Sequence, residues 1–464
     1  MARRLRFEGG LPNEADAHQS LQATDGRRAV EAYRFFYPTV SMEAILRGTR
    51  AAGAVDNVSA PIVLAQPHHV GFTLNSDTPY LGAGIDLSIG GPIVVEVPAG
   101  PLVGLLDDHH HRWLADLGLA GPHGADGGRA LILPPGYHGE VPADGYELVP
   151  SGTWQVLLVL RALPLDGDLD AAVELLTRVR VFPYERRADP PAFTAVDRTD
   201  EPMNTTPLAW EDDIEYWRVL HSVIDAEPPA EEMRPMLGLL AELGIEAHRP
   251  FDPDEHTANI LAAAARQGRD ELLVSAFASR RPDRIAWPDR AWEWVGLRPE
   301  NGAFERPGSL DIEAKDRWFA QAIATSPAMF RRDSGAGSLY WLGVRDADGR
   351  HLDGGRAYRL RVPLPVPHSL FWSVTAYDAE TRSEVAAEQN EAALRSLLDE
   401  LEPDGADQVV DLYFGPDPPE DEQARSRWVQ TVPGRGWFAY FRIYGPEQGA
   451  FDGSWRPGDF AEMR

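Results

Sequence analysis

The chain of 464 residues has no cysteine, and its only lysine is Lys315. Without cysteine there are no disulfides, thiolate zinc sites, cysteine-bound iron–sulfur clusters or thiol nucleophiles. Schiff-base chemistry would have to run through Lys315, which "IEAKDRWFAQAI" places in a helical pattern, on the solvated face. No stretch approaches the roughly 20 apolar residues of a membrane span. The start, "MARRLRFEGGLPNEADAHQS", is basic but lacks an apolar core, so no signal peptide is read and a cytoplasmic location is expected. The phosphate-binding G-x-x-x-x-G-K-[ST], the nucleophile elbow G-x-S-x-G and the zinc-binding H-E-x-x-H are all missing. "GAGIDLSIGG" begins like a dinucleotide loop but lacks its third glycine and opens no helix. Positive charge is also scarce: the net charge is −28, which argues against nucleic acid and anionic membranes as partners. It favours solubility, and neutral or cationic ligands.

What is present is globular. A hydrophobic content of 43% with 25% charged residues is that of a folded protein, and this length exceeds one ordinary core. Residues 1–24 are polar and expected to be loose. "RRAVEAYRFFYPTVSMEAILRGTRAAG" (27–53) has helical spacing, with Pro38 expected to divide it into two helices. From about 61 to 162, runs such as "GPIVVEVPAG", "GGRALILPPGY" and "SGTWQVLLVLRAL" are β-branched and bounded by Gly and Pro, the texture of antiparallel strands. A helix with Asp168 near its N-cap follows. The middle carries four helical patterns, 211–226, 230–245, 254–281 and 312–332. Strand texture returns from about 338. The expected fold class is α+β, mainly β. Its parts are a loose segment (1–24), a β-rich N-terminal domain (25–198), a helical middle (199–333) and a jelly-roll-like C-terminal β-sandwich (334–464).

Several clusters could carry chemistry. "NSDTPY" (75–80) offers an amide, a carboxylate and a phenol within six residues, though Asn and Asp also serve turns. "DDHHHRW" (107–113) would put His109 and His111 on one side of a strand, a weak metal site with no identifiable third ligand; an exposed polar loop is the plainer reading. "RDADGRHLDGG" (345–355) fails the calcium-loop pattern and reads as a hairpin turn. "FWSVTAYDAETRS" (371–383) reads as a strand closed by a charged turn, or as an Asp378–Arg382 pair at a sandwich rim.

The ordered series "NSDTPY", "GPIVVEVP", "GGRALILPPGY" and "GYELVPSGTWQVLLVLRAL" resembles the N-terminal half of a bacterial family, domain of unknown function 1254. "GAGSLY", "LDGGRAYRLRVP", "FWSVTAYDAETRS", "DLYFGPDPP", "RWVQTVPGRGWFAYFRIYGP" and "DGSWRPGDF" resemble its C-terminal companion, domain of unknown function 1214. The resemblance implies a β-rich domain paired with a jelly-roll-like one, and a homo-oligomer. It points to Asn75, Asp77, Thr78 and Tyr80 in the first half. In the second it points to Ser338, Tyr340, Trp372, Tyr377, Asp378, Arg382, Trp428 and Arg442. Many relatives carry an export signal, and many have Asn where this chain has Arg427.

The expected function is a small-molecule enzyme of hydrolytic or other acid–base type, since no redox-cofactor motif is visible. Its site would be a cleft between the two β domains, taking a neutral or cationic organic metabolite. Asp77 would be base or electrostatic anchor, Tyr80 proton donor and Asn75 orienting amide. Thr78, His69, Ser338, Tyr340, Trp372, Tyr377, Asp378 and Arg382 would contact the ligand. No cofactor is expected beyond a divalent metal at the His109/His111 cluster, and neither nucleic acid nor membrane is expected as a partner. The alternatives are a non-catalytic small-molecule or carbohydrate binder, whose 13 Trp and 13 Tyr could stack on ligands, or a structural oligomer.

Overall fold

The computed structural model describes residues 5–299, 302–322, 324–335, 337–401, 403 and 408–463. It is an α+β protein rich in strands, built from two pairs of packed sheets with helices between.

The first pair follows from strict alternation. A six-stranded sheet runs in the order Thr194–Asp197, Ser59–Val63, Tyr80–Asp86, Gln155–Ala162, Leu102–Asp108, Trp113–Gly118. It is antiparallel except at its first pairing. A four-stranded sheet, Arg180–Pro183, Ile93–Val97, Gly128–Leu133, Glu147–Pro150, packs on it. Leu81, Ala83 and Ile85 point into the shared core with Val156, Leu158 and Leu160. Side chains at the other parity, including Tyr80, Leu157, Val159 and Arg161, must then emerge on the opposite face.

The second pair repeats this logic. A five-stranded sheet has the order Glu293–Trp294, Ser338–Gly343, Trp437–Pro446, His368–Asp378, Ala393–Arg395. It packs on a four-stranded sheet, Trp428–Gln430, Val409–Gly415, Tyr358–Pro363, Ala461–Glu462. Trp341, Trp372, Phe441 and Ile443 meet Leu360, Val362, Leu412 and Phe414 in one core. Tyr340, Thr375, Tyr377, Tyr440 and Arg442 occupy the other face. That face is covered partly by helices and partly by the segment around residue 75.

Three sequence expectations fail. Residues 14–24 are helical, and Glu14–Ala51 is one helix running through Pro38, with the Asn13 side chain accepting from Asp16 N at its start. An interior proline costs about 3 kcal/mol. Tyr33, Phe36 and Tyr37, fully buried beside it, each contribute about 1.5–3 kcal/mol of apolar burial, so tertiary packing wins. The pattern at 312–332 yields two short helices, Ile312–Phe319 and Pro327–Phe330, the second opened by the Ser326 cap. Ala324 between them has φ +62°, outside the helical region. The expected helices at 211–226 and 254–281 are present as Ile214–Ala226 and Glu255–Phe277, and 230–245 keeps only Arg234–Ala241. These helices pack with the N-terminal helix against Tyr377, Phe438 and Tyr440 of the five-stranded sheet. Among the described residues no helix is long and apolar enough to cross a membrane.

Candidate functional site

Residues 70–80 form the seam between the two sheet pairs. Their backbone has few partners of its own, and side chains from the second pair supply them. Ser383 Oγ accepts from Gly71 N (3.0 Å), and Glu384 Oε1 accepts from Ser76 N (3.0 Å). Tyr377 donates its hydroxyl to Leu74 O (2.7 Å), and Arg442 Nη2 donates to Thr73 O (3.0 Å). Thr73 sits at φ +47°, a costly conformation for a β-branched residue. Its hydroxyl donates to Gln321 O (2.8 Å) and its amide to Arg382 O (2.8 Å). Such over-determined strain is typical of functional sites.

Against this seam lies an apolar cavity of about 150 Å³. Its walls come from the outward face of the six-stranded sheet (Leu157, Val159), from the seam, from Ala322, Ala324, Ser326, Ala328 and Met329, and from the five-stranded sheet. Its polar lining gathers around two cross-strand pairs. Tyr80 lies directly opposite Arg161 in the first sheet, and Tyr340 directly opposite Arg442 in the second. Arg161 stacks on Tyr80 (4.9 Å to the ring centroid) and Tyr444 (5.3 Å). Arg442 lies over Tyr440 (5.0 Å), Tyr377 (5.4 Å) and Tyr340 (5.7 Å). Two guanidiniums are thus boxed by five phenol rings, whose electron-rich faces replace part of the lost hydration.

The hydrogen bonds of these arginines go to neutral groups. Arg161 donates to Thr78 Oγ1 (2.9 Å), Tyr444 OH (2.8 Å) and Asn75 Oδ1 (3.4 Å). Arg442 donates to Thr375 Oγ1 (3.0 Å), Thr73 O and Tyr377 OH (2.7 Å), and its buried Nε has no partner among the described residues. Asn75 Nδ2 donates to Tyr80 OH (2.7 Å), so the Tyr80 proton is directed elsewhere. Burial raises the Tyr80 pKa, against the pull of Arg161 and Arg442, which keeps it a proton donor rather than a base.

Of the residues singled out from sequence, Asn75, Tyr80, Ser338, Tyr340 and Arg442 line the cavity. Asp77 stands one layer behind. It is 1% exposed, and Oδ2 accepts from Ser373 Oγ and Tyr444 OH, both at 2.8 Å. Its Oδ1 is buried without a partner among the described residues. Since Tyr444 also accepts from Arg161, Asp77 acts on the cavity through that phenol. Thr78 and Tyr377 are in the same supporting layer. Trp372 is in the sandwich core, stacked on Phe441 at 5.4 Å.

Other placements differ from expectation. Asp378 does not pair with Arg382: it binds Arg435 (2.7 and 2.8 Å) and caps the turn at Glu380 and Thr381. Arg382 is buried and held bidentately by Glu211 at 2.8 Å. The His69 ring ties its own loop to the segment at Glu201, accepting from Gln66 N and donating to Glu201 O, both at 3.0 Å. His109–His111 lie past the end of Leu102–Asp108 in a tight turn, with His111 at φ +55°, so strand alternation does not apply. Nor is the loop exposed. His109 bridges Glu227 (2.8 Å) and Glu43 (3.1 Å). Burial opposes its charge, but the bonds to the two carboxylates outweigh that and raise its pKa. Burial takes His111 down to about 3. Among the described residues no group of three or more His, Asp or Glu is placed to share a metal. Lys315 is half-buried rather than solvated: its ammonium donates to Phe35 O (2.9 Å), and burial lowers its pKa to about 8.

Sequence reasoning missed Arg161 and Glu384. The signal for Arg161 was one charge inside the apolar run "VLLVLRAL". Glu384 gave none. Burial, with the Asp77 charge adding to it, pushes its carboxyl up to about 7, and its Oε2 is buried with no partner among the described residues.

Two family models match the chain, each described as a protein of unknown function: DUF1254 over residues 62–183 and DUF1214 over 337–448. The chain belongs to this two-domain family. The matched segments contain both Tyr–Arg pairs, one in each. The chain is also similar to the VPA0106 protein from Vibrio parahaemolyticus, at 18% identity and a TM-score of 0.58, covering 95% of this chain and 100% of that one. At that identity the likeness speaks for the fold. A second similar structure, an uncharacterised protein from Burkholderia cenocepacia, has 12% identity and a TM-score of 0.42 over 97% of both chains. No curated protein matches the chain.

Proposed function

We propose that this protein is a small-molecule enzyme of acid–base type, with its reaction centre in the cavity between the two sheet pairs. The observation that carries the reading is an apolar cavity of about 150 Å³ whose polar lining gathers at the two Tyr–Arg pairs. Such a space suits a benzene-sized apolar body. Tyr80, oriented by Asn75, would donate a proton to a developing oxyanion, and Arg161 would stabilise its charge. Asp77 is a positioning residue, fixing Tyr444 and through it Arg161. The strained Thr73 holds the seam in register.

One observation favours the second reading, a non-catalytic binding protein. Glu384, whose carboxyl burial pushes up to about 7, does not line the cavity. The test is turnover of a bacterial metabolite extract by the purified protein, followed by mass spectrometry. Wild type should consume at least one component, Tyr80→Phe should do so at least about a hundredfold more slowly, and Val159→Phe, which fills the cavity, should not. Retention of a component by wild type without consumption would replace enzyme by binder. Equal consumption by wild type and Val159→Phe would remove the cavity from the reaction.

A further inference from the structure

The half-buried Arg161 and the fully buried Arg442 face one cavity, and among the described residues neither has an anionic partner. Among the described residues, the ion pairs of the chain include neither Arg161 nor Arg442. The contrast with two other deeply buried arginines is direct: Arg382 has Glu211 and Arg317 has Glu293, each at 2.8 Å. The carboxylate facing Arg161 and Arg442 is Asp77, whose bonds run to two hydroxyls rather than to either guanidinium. Glu384, lifted to about 7, supplies only part of a second negative charge at neutral pH. Arg395, the other cation of this region, is taken by Asp399 (3.1 Å). Positive charge is in surplus here, in a protein of net charge −28.

Uncompensated charge in an apolar interior is costly, and chains normally pair it. Two donors at this site also lack partners. Among the described residues Arg161 Nη1 makes no hydrogen bond, in a side chain that lines the cavity, and the buried Arg442 Nε has no partner. The remainder of the wall is mostly aliphatic and aromatic, with neutral polar side chains such as Asn75, Thr205 and Ser338 and no carboxylate.

We infer that the ligand of this cavity is a monocarboxylate with a small apolar or aromatic body, its carboxylate held by Arg161 and Arg442. This rests on the reading of the cavity as the functional site and names its ligand class. It reverses the preference for neutral or cationic molecules that the acidic composition favours. The surface charge is screened over roughly 8 Å at physiological salt, whereas the two guanidiniums act at contact in a mostly apolar site. Planar guanidiniums also match carboxylate geometry better than any other side chain does.

The test is calorimetric titration of the full chain with shape-matched probes: phenylacetate, phenylacetamide, 2-phenylethanol and phenethylamine. Phenylacetate should bind about ten- to a hundredfold more tightly than the amide or alcohol, and the amine should bind weakest. Arg161→Met should abolish the preference for the acid over the amide while leaving amide affinity within about threefold. Should that variant fold poorly, the wild-type ranking decides alone. An acid that binds no better than its amide, or an amine that binds best, overturns the carboxylate inference and leaves the cavity as a site. Absence of binding by all four probes, or binding unchanged in Val159→Phe, overturns both.

Discussion

Arg382 and Arg442 are both 1% exposed, both stacked on aromatic rings, and both anchored to the seam around Thr73. Their partners differ. Arg382 is clamped by Glu211, which also binds Arg269 (2.7 Å) and accepts from Tyr37 (2.8 Å). Burial works against the Glu211 charge, and Arg382 together with Arg269 more than offsets it, so the Glu211 pKa lies below the ordinary value. Arg442 has phenols, a threonine and a carbonyl. A buried cation with its own carboxylate is finished structure. A buried cation beside a cavity, served only by neutral groups, keeps its charge for something else.

The largest effect should come from breaking the closed cluster. Glu211→Gln leaves Arg382 and Arg269 without their shared anion and should cost about 3–5 kcal/mol in denaturant unfolding. Arg442→Met removes a charge that has no direct ion pair among the described residues, and should cost no more than about 1–2 kcal/mol. Similar losses in the two variants would dissolve the contrast.

Glu384 sharpens the comparison from the acidic side. Its carboxyl binds a proton more tightly in the folded protein, at about 7 against an ordinary 4.5. Its contribution to stability is therefore full below pH 4.5, declines between 4.5 and 7, and is flat above. The loss should be about 3 kcal/mol at most. Glu384→Gln, which keeps an oxygen for Ser76 N, should lack that decline and be the more stable protein at pH 8 in unfolding measured across pH. A pH dependence shared by both proteins would place the titrating group elsewhere.

The smallest effect belongs to the rim. Asp378 and Arg435 form a well-made but half-exposed pair, and Arg435→Ala should cost less than about 1 kcal/mol in thermal unfolding.

Strand texture between Gly and Pro punctuation was legible without coordinates, and Asn75 and Tyr80, singled out by their local pattern, line the cavity. What could not be read was pairing across the chain. Arg161 matters because Tyr80 lies opposite it in the sheet. Glu211 matters because Arg382 reaches it across 171 positions. Asp77 looked like the reactive group because its own neighbourhood is polar, yet its partners are Ser373 and Tyr444, almost 300 positions or more away. Local patterns likewise misjudged Pro38 and the 312–332 helix, where burial and a left-handed Ala324 override propensity.

The most direct test is a crystal of the protein soaked with phenylacetate. The carboxylate should lie within about 3 Å of Arg161 Nη1 and at the end of the cavity that Arg442 lines, with the ring against Leu157 and Val159. An empty cavity at saturating phenylacetate, or a ring turned toward the guanidiniums with the carboxylate pointing away, would contradict it.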